Sequence, residues 1–372
     1  MARQTDCVIH LDRLQANFDA IRKAVHDKKV MAMVKAEAYG HGMLPVASFL
    51  EGKADYFGVA TAEEAIALRE AGISTPVLHI EPVRDGEEKE LVARGIEQSV
   101  YTAEAVDRID AAACAETPAA VHLKIETGMH RTGVRPGKEL DQVLQALKSA
   151  KHTRLAGVFT HFAASDAEDR AYTDAQAKRF FEAIGQIRGA GFGGFLVHCA
   201  NSAAVLAYPE LHCDMVRAGI LLYGYYPSAA VPRLPGISPV MEVNTEVISL
   251  QTVRAGEAIS YSGTFVAPRD MRVAVLAIGY GDGYKRALSN RASVLIGGRR
   301  AKLVGNICMD LMMADVTDIP DVAPGTPVTL IGAQGMDAIG ADELAEQCGT
   351  ISYEILTSFL PRVPKKYVGG EP

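Results

Sequence analysis

From residue 30 to residue 219, short apolar or β-branched runs alternate with stretches that read as amphipathic helices. The runs are Val30–Lys35, Asp55–Ala60, Pro76–Ile80, Ile96–Tyr101, Ala120–Glu126, Leu155–His161, Phe195–Ala200 and Asp214–Gly219. Among the intervening stretches TAEEAIALREAGI is the clearest helix. Thr61 can cap it, Glu64 stands three residues later, Ile66 and Leu68 supply apolar positions, and Gly72 ends it. Strands alternating with helices predict a parallel sheet with crossover connections. Eight such units in about 200 residues predict an α/β fold, a TIM-like (β/α)8 barrel at the small end of its size range. A doubly wound open sheet is the runner-up, but it would carry a GxGxxG turn after its first strand. Here the first strand runs into KAEAYGHG.

The pattern changes after a Pro-rich segment, Pro227–Pro239. Short alternating runs follow, MEVNTEVISL, AISYSGTF, RVAVLAIGY, ASVLIGG, AKLVGNICMD, MMADV and PVTLIG, and no long helix intervenes until Asp342–Cys348 and Tyr353–Phe359. This predicts a mainly-β second domain. The expected division is residues 1–234 for the barrel and 235–372 for the β domain, as the length of 372 residues suggests at roughly 150 residues per domain.

Composition narrows the class of protein. Hydrophobic residues make up 48% and charged residues 22%, enough apolar surface for a packed core and against disorder. Acidic residues outnumber basic ones 45 to 38, and the basic pairs are isolated, which argues against nucleic acid as a partner. Trp is absent, and the six cysteines form no CxxC pair. They read as reduced thiols of a cytoplasmic protein. The N-terminus scatters charges where a signal peptide needs an apolar run, and no stretch approaches a membrane span.

Barrels of this kind place their chemistry at the C-terminal ends of the strands. That rule selects Lys35, Arg131, His161, Asn201, Ser202 and the segment Arg217–Ile220. Lys35 could form a Schiff base with a carbonyl, or simply solvate the strand end. Asn201 and Ser202 open a small-residue helix and could receive a phosphate together with Gly219, or serve as an ordinary cap. His161 reads equally as a core histidine. The stretch GYGDGY reads as a tight hairpin rather than a dinucleotide loop, and His122, His198 and His212 lack metal-ligand spacing. A lysine, a phosphate cradle and a partner for a ring nitrogen together point to pyridoxal 5'-phosphate.

The string AMVKAEAYGHG resembles the cofactor-lysine signature of alanine racemases. ETGMHRTGV, FTHFAASD, HCANSAA, MVRAGILLYG, AISYSGTF, AIGYGDGY, VGNICMD and ISYEILT follow in that family's order over nearly the whole chain. The resemblance implies a barrel followed by a β domain, and a cytoplasmic homodimer with shared active sites that supplies D-alanine for peptidoglycan. Lys35 would hold the cofactor and act as one base, and Tyr261, delivered from the partner subunit, as the opposite base. Arg217 would face the pyridine nitrogen, with His161 linked to it. Tyr39, Asn201, Ser202, Gly219, Ile220 and Tyr353 would surround the phosphate. Arg131, Met309, Asp310 and Tyr280 would shape the substrate site for a small amino acid. Lys124 matches a lysine carbamylated in some members, where it orients Arg131. Glu37 stands in place of a common Asn, and His130 where small residues are frequent. Neither change touches a named catalytic role. The alternatives on related scaffolds are a serine or broad-specificity racemase, a decarboxylase, which would use a carboxylate at the ring nitrogen, and a non-catalytic cofactor carrier, which would lack the β domain.

Overall fold

The computed structural model describes residues 5–359 and 361–370. The chain divides into two compact units, one holding residues 15–38 and 43–237, the other the described residues up to 14, residues 39–42 and those from 238 onward. The division after Ile237 lies three residues beyond the boundary expected from the sequence. The larger difference is at the start of the chain. Strand β1 (Asp6–His10) belongs to the β unit, because it pairs antiparallel with β10 (Met241–Val253) and parallel with the last strand of the chain.

The first unit is an eight-stranded parallel barrel. Its strands are β2 (Lys29–Met33), β3 (Tyr56–Val59), β4 (Val77–His79), β5 (Glu97–Val100), β6 (Ala119–Lys124), β7 (Thr153–Phe159), β8 (Leu196–His198) and β9 (Met215–Ala218). They pair in chain order, and β9 returns to β2. Hydrogen bonds from Asp214 N to Val197 O (3.0 Å) and from Arg217 N to Ala200 O (2.9 Å) join the two remaining edges. The open-sheet alternative is thereby excluded. Each expected run overlaps one strand; most strands are trimmed by a residue or two, while β2 and β6 begin one residue earlier than expected and β7 two residues earlier. Both faces of these strands are covered, so β3 and β4 are buried throughout, as a barrel wall between core and helices requires. The outer helices are amphipathic. Lys138–Ser149 buries Leu140, Val143, Leu144 and Leu147, a stripe at helical spacing worth about 1.5–3 kcal/mol per side chain. Thr61 does cap Ala62–Glu70, in a capping box with Glu64.

In the β unit, β10 is the organising strand. Its first seven residues alternate buried and half-buried, Met241, Val243, Thr245 and Val247 pointing inward. The remaining strands are β11 (Ala258–Ile259), β12 (Phe265–Val266), β13 (Met271–Leu276), β14 (Ser293–Ile296), β15 (Arg299–Lys302), β16 (Met312–Asp315), β17 (Pro327–Gln334), β18 (Asp337–Ile339) and β19 (Lys365–Val368). The first half of β10 pairs with β1 and β17, the second half with β13, and a bulge between Val247 and Ser249 marks the change. GYGDGY is a 3-10 turn, Tyr280–Asp282, and not the expected hairpin. The Asp282 carboxylate accepts from Gly279 N at 2.9 Å and pulls the segment into the turn. Gly283, at φ 112°, lies where a Cβ would strike the Ser358 carbonyl oxygen at 2.1 Å, so a hairpin residue with a side chain has no room there.

Candidate active site

Lys35 follows the buried strand β2, and the chain after it winds the wrong way. Ala36, Glu37, Ala38 and Tyr39 all have φ between 50° and 55°. Four left-handed non-glycine residues cost roughly 1–2 kcal/mol each, and side chains hold them there. Glu64, the capping-box residue, accepts from Ala36 N at 2.6 Å with one oxygen and from Ala60 N at 2.8 Å with the other. Glu37 accepts from Met43 N at 3.2 Å and otherwise faces solvent. The substitution noted at residue 37 therefore closes the turn from outside. Lys35 is half-buried, and its amine makes no hydrogen bond within the described residues. Burial, then the charge of Arg131, pushes its proton affinity below that of an ordinary lysine. An amine of that kind attacks carbonyls and exchanges protons.

Arg217, on β9, is 4% exposed. Its Nη1 donates to His198 Nδ1 (3.1 Å) and His198 O (3.0 Å), and its Nη2 to Thr160 O (2.7 Å), Cys199 O (3.2 Å) and His161 Nδ1 (3.3 Å). The expected link to His161 is present. Burial pushes the guanidinium down to about 10, which leaves it charged at neutral pH. All four Nη hydrogens are engaged, and the Nε–H has no acceptor among the described residues.

Three residues stand behind Arg217: His198 and His122, which the sequence reading weighed only as metal ligands, and Glu97, which it did not single out. A guanidinium only donates, so His198 Nδ1 must accept and the proton of that ring sits on Nε2. His198 Nε2 then donates to His122 Nδ1 at 2.9 Å, and His122 Nε2 donates to the Glu97 carboxylate at 2.7 Å. Both rings are fully buried. Burial, then His122 and Arg217, holds His198 well below the usual imidazole range, in keeping with a neutral ring. Gly157 on β7, the strand between β6 and β8, makes room for this chain. A Cβ there would meet His122 Nδ1 at 2.2 Å. Metal-ligand spacing was the wrong filter for these histidines. The available signal was a pair of histidines and a glutamate in neighbouring apolar strand runs.

Ser202, 4% exposed, accepts from Gly219 N at 2.9 Å and Leu221 N at 3.4 Å. Both backbone donors occupy its lone pairs, so its own O–H is free to donate to an anion. Ile220 opens a 3-10 segment, whose first N–H groups have no acceptor inside that turn. Asn201 caps the helix Ser202–Ala207, accepting from Ala204 N at 3.0 Å and from the Ser165 hydroxyl at 2.9 Å. The donor set of this unit therefore offers an amine, a guanidinium N–H and a hydroxyl, which is the chemistry that a phosphorylated pyridine aldehyde needs.

Lys124 is 3% exposed and donates to the Thr132 hydroxyl at 2.6 Å. Burial and the charges of Arg131 and Arg217 lower it to about 8. Arg131 is exposed and acts on its neighbours through charge. His130 takes a left-handed φ of 54°, a region in which His is among the better-tolerated side chains.

The other expected residues form two groups in the β unit. The rings of Tyr39 and Tyr353 lie 5.9 Å apart. Tyr261 tips the β11–β12 hairpin with 71% of its surface exposed. Ser260 and Ser262 on either side have φ of 66° and 61°. Asn306 fixes the tip, donating to Tyr261 O at 2.8 Å and accepting from the Ser260 hydroxyl at 2.6 Å. Below the tip, Ile259 joins a small core with Ala267, Met271, Val273 and Val304. Asn306 leads into Met309 and Asp310. Met309 O accepts from Gly281 N at 2.8 Å beside Tyr280, and Asp310 pairs with Arg362 at 2.7 Å. Arg362 also meets the buried Asp282 at 3.3 Å. Tyr261, Tyr280 and Met309, all exposed, thus ride on one connected loop cluster.

Residues 9–227 match the family profile described as alanine racemase, N-terminal domain, and residues 240–367 the one described as alanine racemase, C-terminal domain. Alanine racemase from Desulfosudis oleivorans is 42% identical over 97% of this chain and 96% of its own length. The enzyme of that name from Geobacter sulfurreducens is 40% identical over 99% and 98%. Among solved structures, alanine racemase from Streptomyces coelicolor superposes with a TM-score of 0.94 at 32% identity, over 99% of this chain and 98% of that one. Alanine racemase from Bacillus anthracis with bound L-Ala-P gives a TM-score of 0.92 at 35% identity, over 100% and 97%.

Proposed function

This chain belongs to the alanine racemase family, and on that premise we propose that it interconverts L- and D-alanine with pyridoxal 5'-phosphate, using Lys35 and Tyr261 as opposed bases. The observation that carries the reading is the pair formed by an unbonded Lys35 amine of lowered proton affinity and an Arg217 with one N–H left over. The cofactor, when bound, supplies a carbonyl for amines and an electron sink that acidifies the α-hydrogen of an amino acid.

Lys35 Nζ would hold the cofactor at that carbonyl and would move a proton on one face of the substrate's α-carbon. Tyr261 Oη holds or takes the proton on the other face. Arg217 would face the ring nitrogen with its Nε–H, and a guanidinium does not surrender that proton. That would keep the sink weaker than a carboxylate partner does, and would favour return of the proton over side reactions. The Glu97–His122–His198 chain fixes the guanidinium from behind. Ser202, Gly219 and Ile220 would hold the phosphate, and Tyr39 and Tyr353 belong to the same reading. Lys124, with its lowered proton affinity, is open to carbamylation, which would give Arg131 a carboxylate to orient on. The exposure of Tyr261, Met309 and Tyr280 supports a homodimer in which this cluster enters the partner's site. A cytoplasmic location and a supply of D-alanine for peptidoglycan belong to the same reading. No helix among the described residues is long and apolar enough to cross a membrane.

The test is a chiral assay of the purified protein with L-alanine and L-serine, with and without added cofactor. Cofactor-dependent D-alanine is expected. Equal turnover of serine would replace the alanine assignment with a broad one, and carbon dioxide release from basic amino acids without racemisation would overturn the reading.

A further inference from the structure

The six cysteines are all free thiols, and none forms a CxxC pair. Two of them nevertheless meet. Cys199, directly after β8, and Cys213, two residues before β9, place their sulfurs 3.7 Å apart across fourteen positions. Cys199 is fully buried, with its sulfur 3.2 Å from Leu211 O, while Cys213 is half-buried. Cys213 is a non-glycine residue at φ 54°, so the turn that carries it stores backbone strain. The two thiols differ in character. The hydrogen bond from Cys199 holds the Cys213 thiol below its usual value, and the charges of Lys28 and Arg217 favour the same thiolate against burial and Asp214. The matching interaction pushes Cys199 up. A lowered, reachable thiolate beside a buried partner thiol is the arrangement of an oxidisable pair.

We propose that Cys199 and Cys213 are a reversible redox site, closed to a disulfide by a hydroperoxide and reopened by a dithiol, that tunes the wall holding the cofactor. The Cys213 thiolate attacks the peroxide. A sulfur–oxygen bond forms, the oxygen–oxygen bond breaks, and the leaving oxygen takes a proton as water or an alcohol. Cys199 sulfur then attacks the sulfenic sulfur. The sulfur–sulfur bond forms, the sulfur–oxygen bond breaks, and hydroxide leaves with the Cys199 proton as water. The two thiols lose two electrons and the peroxide gains them. A disulfide is about 2.05 Å long, so the sulfurs close by roughly 1.7 Å. Cys199 O is an acceptor of Arg217 Nη2, and Asn201 and Ser202 follow within three residues. The movement therefore reaches both the guanidinium and the phosphate hydroxyl.

The experiment treats the cofactor-loaded protein with hydrogen peroxide, alkylates the remaining thiols and maps tryptic peptides. Residues 189–217 leave as one peptide holding both cysteines, since no Lys or Arg lies between its ends. The expected product is that peptide, unalkylated and lighter by the two thiol hydrogens, restored by dithiothreitol. Cys213→Ser should leave Cys199 fully alkylated, and Cys199→Ser should leave a sulfenic acid on Cys213 that dimedone traps. Cofactor absorbance and racemase activity should shift with oxidation, recover with dithiothreitol and stay unmoved by peroxide in Cys213→Ser. The activity arm rests on the function proposed above, whereas the peptide mass does not, so the two can fail separately. Both cysteines still alkylated after the exposed Cys114 has oxidised would overturn the site. A disulfide that moves neither absorbance nor activity would overturn its regulatory role.

Discussion

Lys35 and Tyr261 are set on their backbones in the same way and left in opposite surroundings. Each is flanked by non-glycine residues of positive φ, 50–55° after Lys35 and 66° and 61° around Tyr261. Each is held by one polar side chain that bonds the backbone beside it, Glu64 at Ala36 N and Asn306 at Tyr261 O. The strain fixes where the side chain starts and leaves its end free to react. The environments then diverge. The Lys35 amine is desolvated and crowded by Arg131 and Arg217, whereas the Tyr261 ring is 71% exposed. The chain itself supplies the medium around its lysine, and leaves the tyrosine ring in solvent. That difference is what a shared active site in a homodimer would produce.

The comparison can be broken most severely at the lysine. Lys35→Ala should abolish both racemisation and the cofactor adduct fixed by borohydride. An adduct that survived would assign the cofactor to another lysine. Tyr261→Phe should keep the yellow cofactor complex and lose roughly 10²–10⁴-fold in the direction that needs its proton. Racemisation at the parental rate in both directions would end the two-base assignment.

Smaller effects sharpen the buried side. Gly157→Ala places a methyl against His122, at 2.2 Å from Nδ1. It should lower unfolding stability by roughly 1–3 kcal/mol and shift cofactor absorbance through Arg217. A denaturation midpoint equal to the parent's would show that the histidine chain is not tightly seated. Lys124 gives a pH dependence with a defined sign. Its folded value of about 8 lies below the ordinary 10.5, so the folded state binds fewer protons between those values. The penalty, about 3 kcal/mol, is fully present below pH 8 and fades as the unfolded chain deprotonates toward pH 10.5. Lys124→Met should therefore melt above the parent at pH 7, with a gap that narrows as pH rises. A gap independent of pH would remove the charge argument. The least change expected is Thr61→Ala, about 1 kcal/mol from loss of the cap, measured by chemical denaturation.

The barrel strands were legible because each is a local apolar run whose period needs no partner to be seen. Lys35, Ser202 and Arg217 were legible because strand ends can be counted along the chain. The Thr61–Glu64 capping box was visible too, but not the reach of Glu64 to Ala36, which joins elements 28 positions apart. His122 and His198 were passed over because their spacing suits no metal, and their meaning lies in a hydrogen bond across 76 positions. GYGDGY was misread as a hairpin because its shape is set by Asp282 and by the packing of Gly283 against Ser358.

The sequence by itself determined the succession of elements, the change from parallel α/β to antiparallel β, and the residue types that end each strand. These follow from side-chain periodicity and turn chemistry, which act over a few residues. Only the tertiary structure decided that β1 joins the far sheet, that the turn after Lys35 winds left-handed, and that Arg217 keeps one N–H free. It alone fixed the tautomers of two buried histidines and brought Cys199 to Cys213. Those outcomes depend on which donor meets which acceptor across the fold, and a buried donor or acceptor takes whatever partner the packing provides.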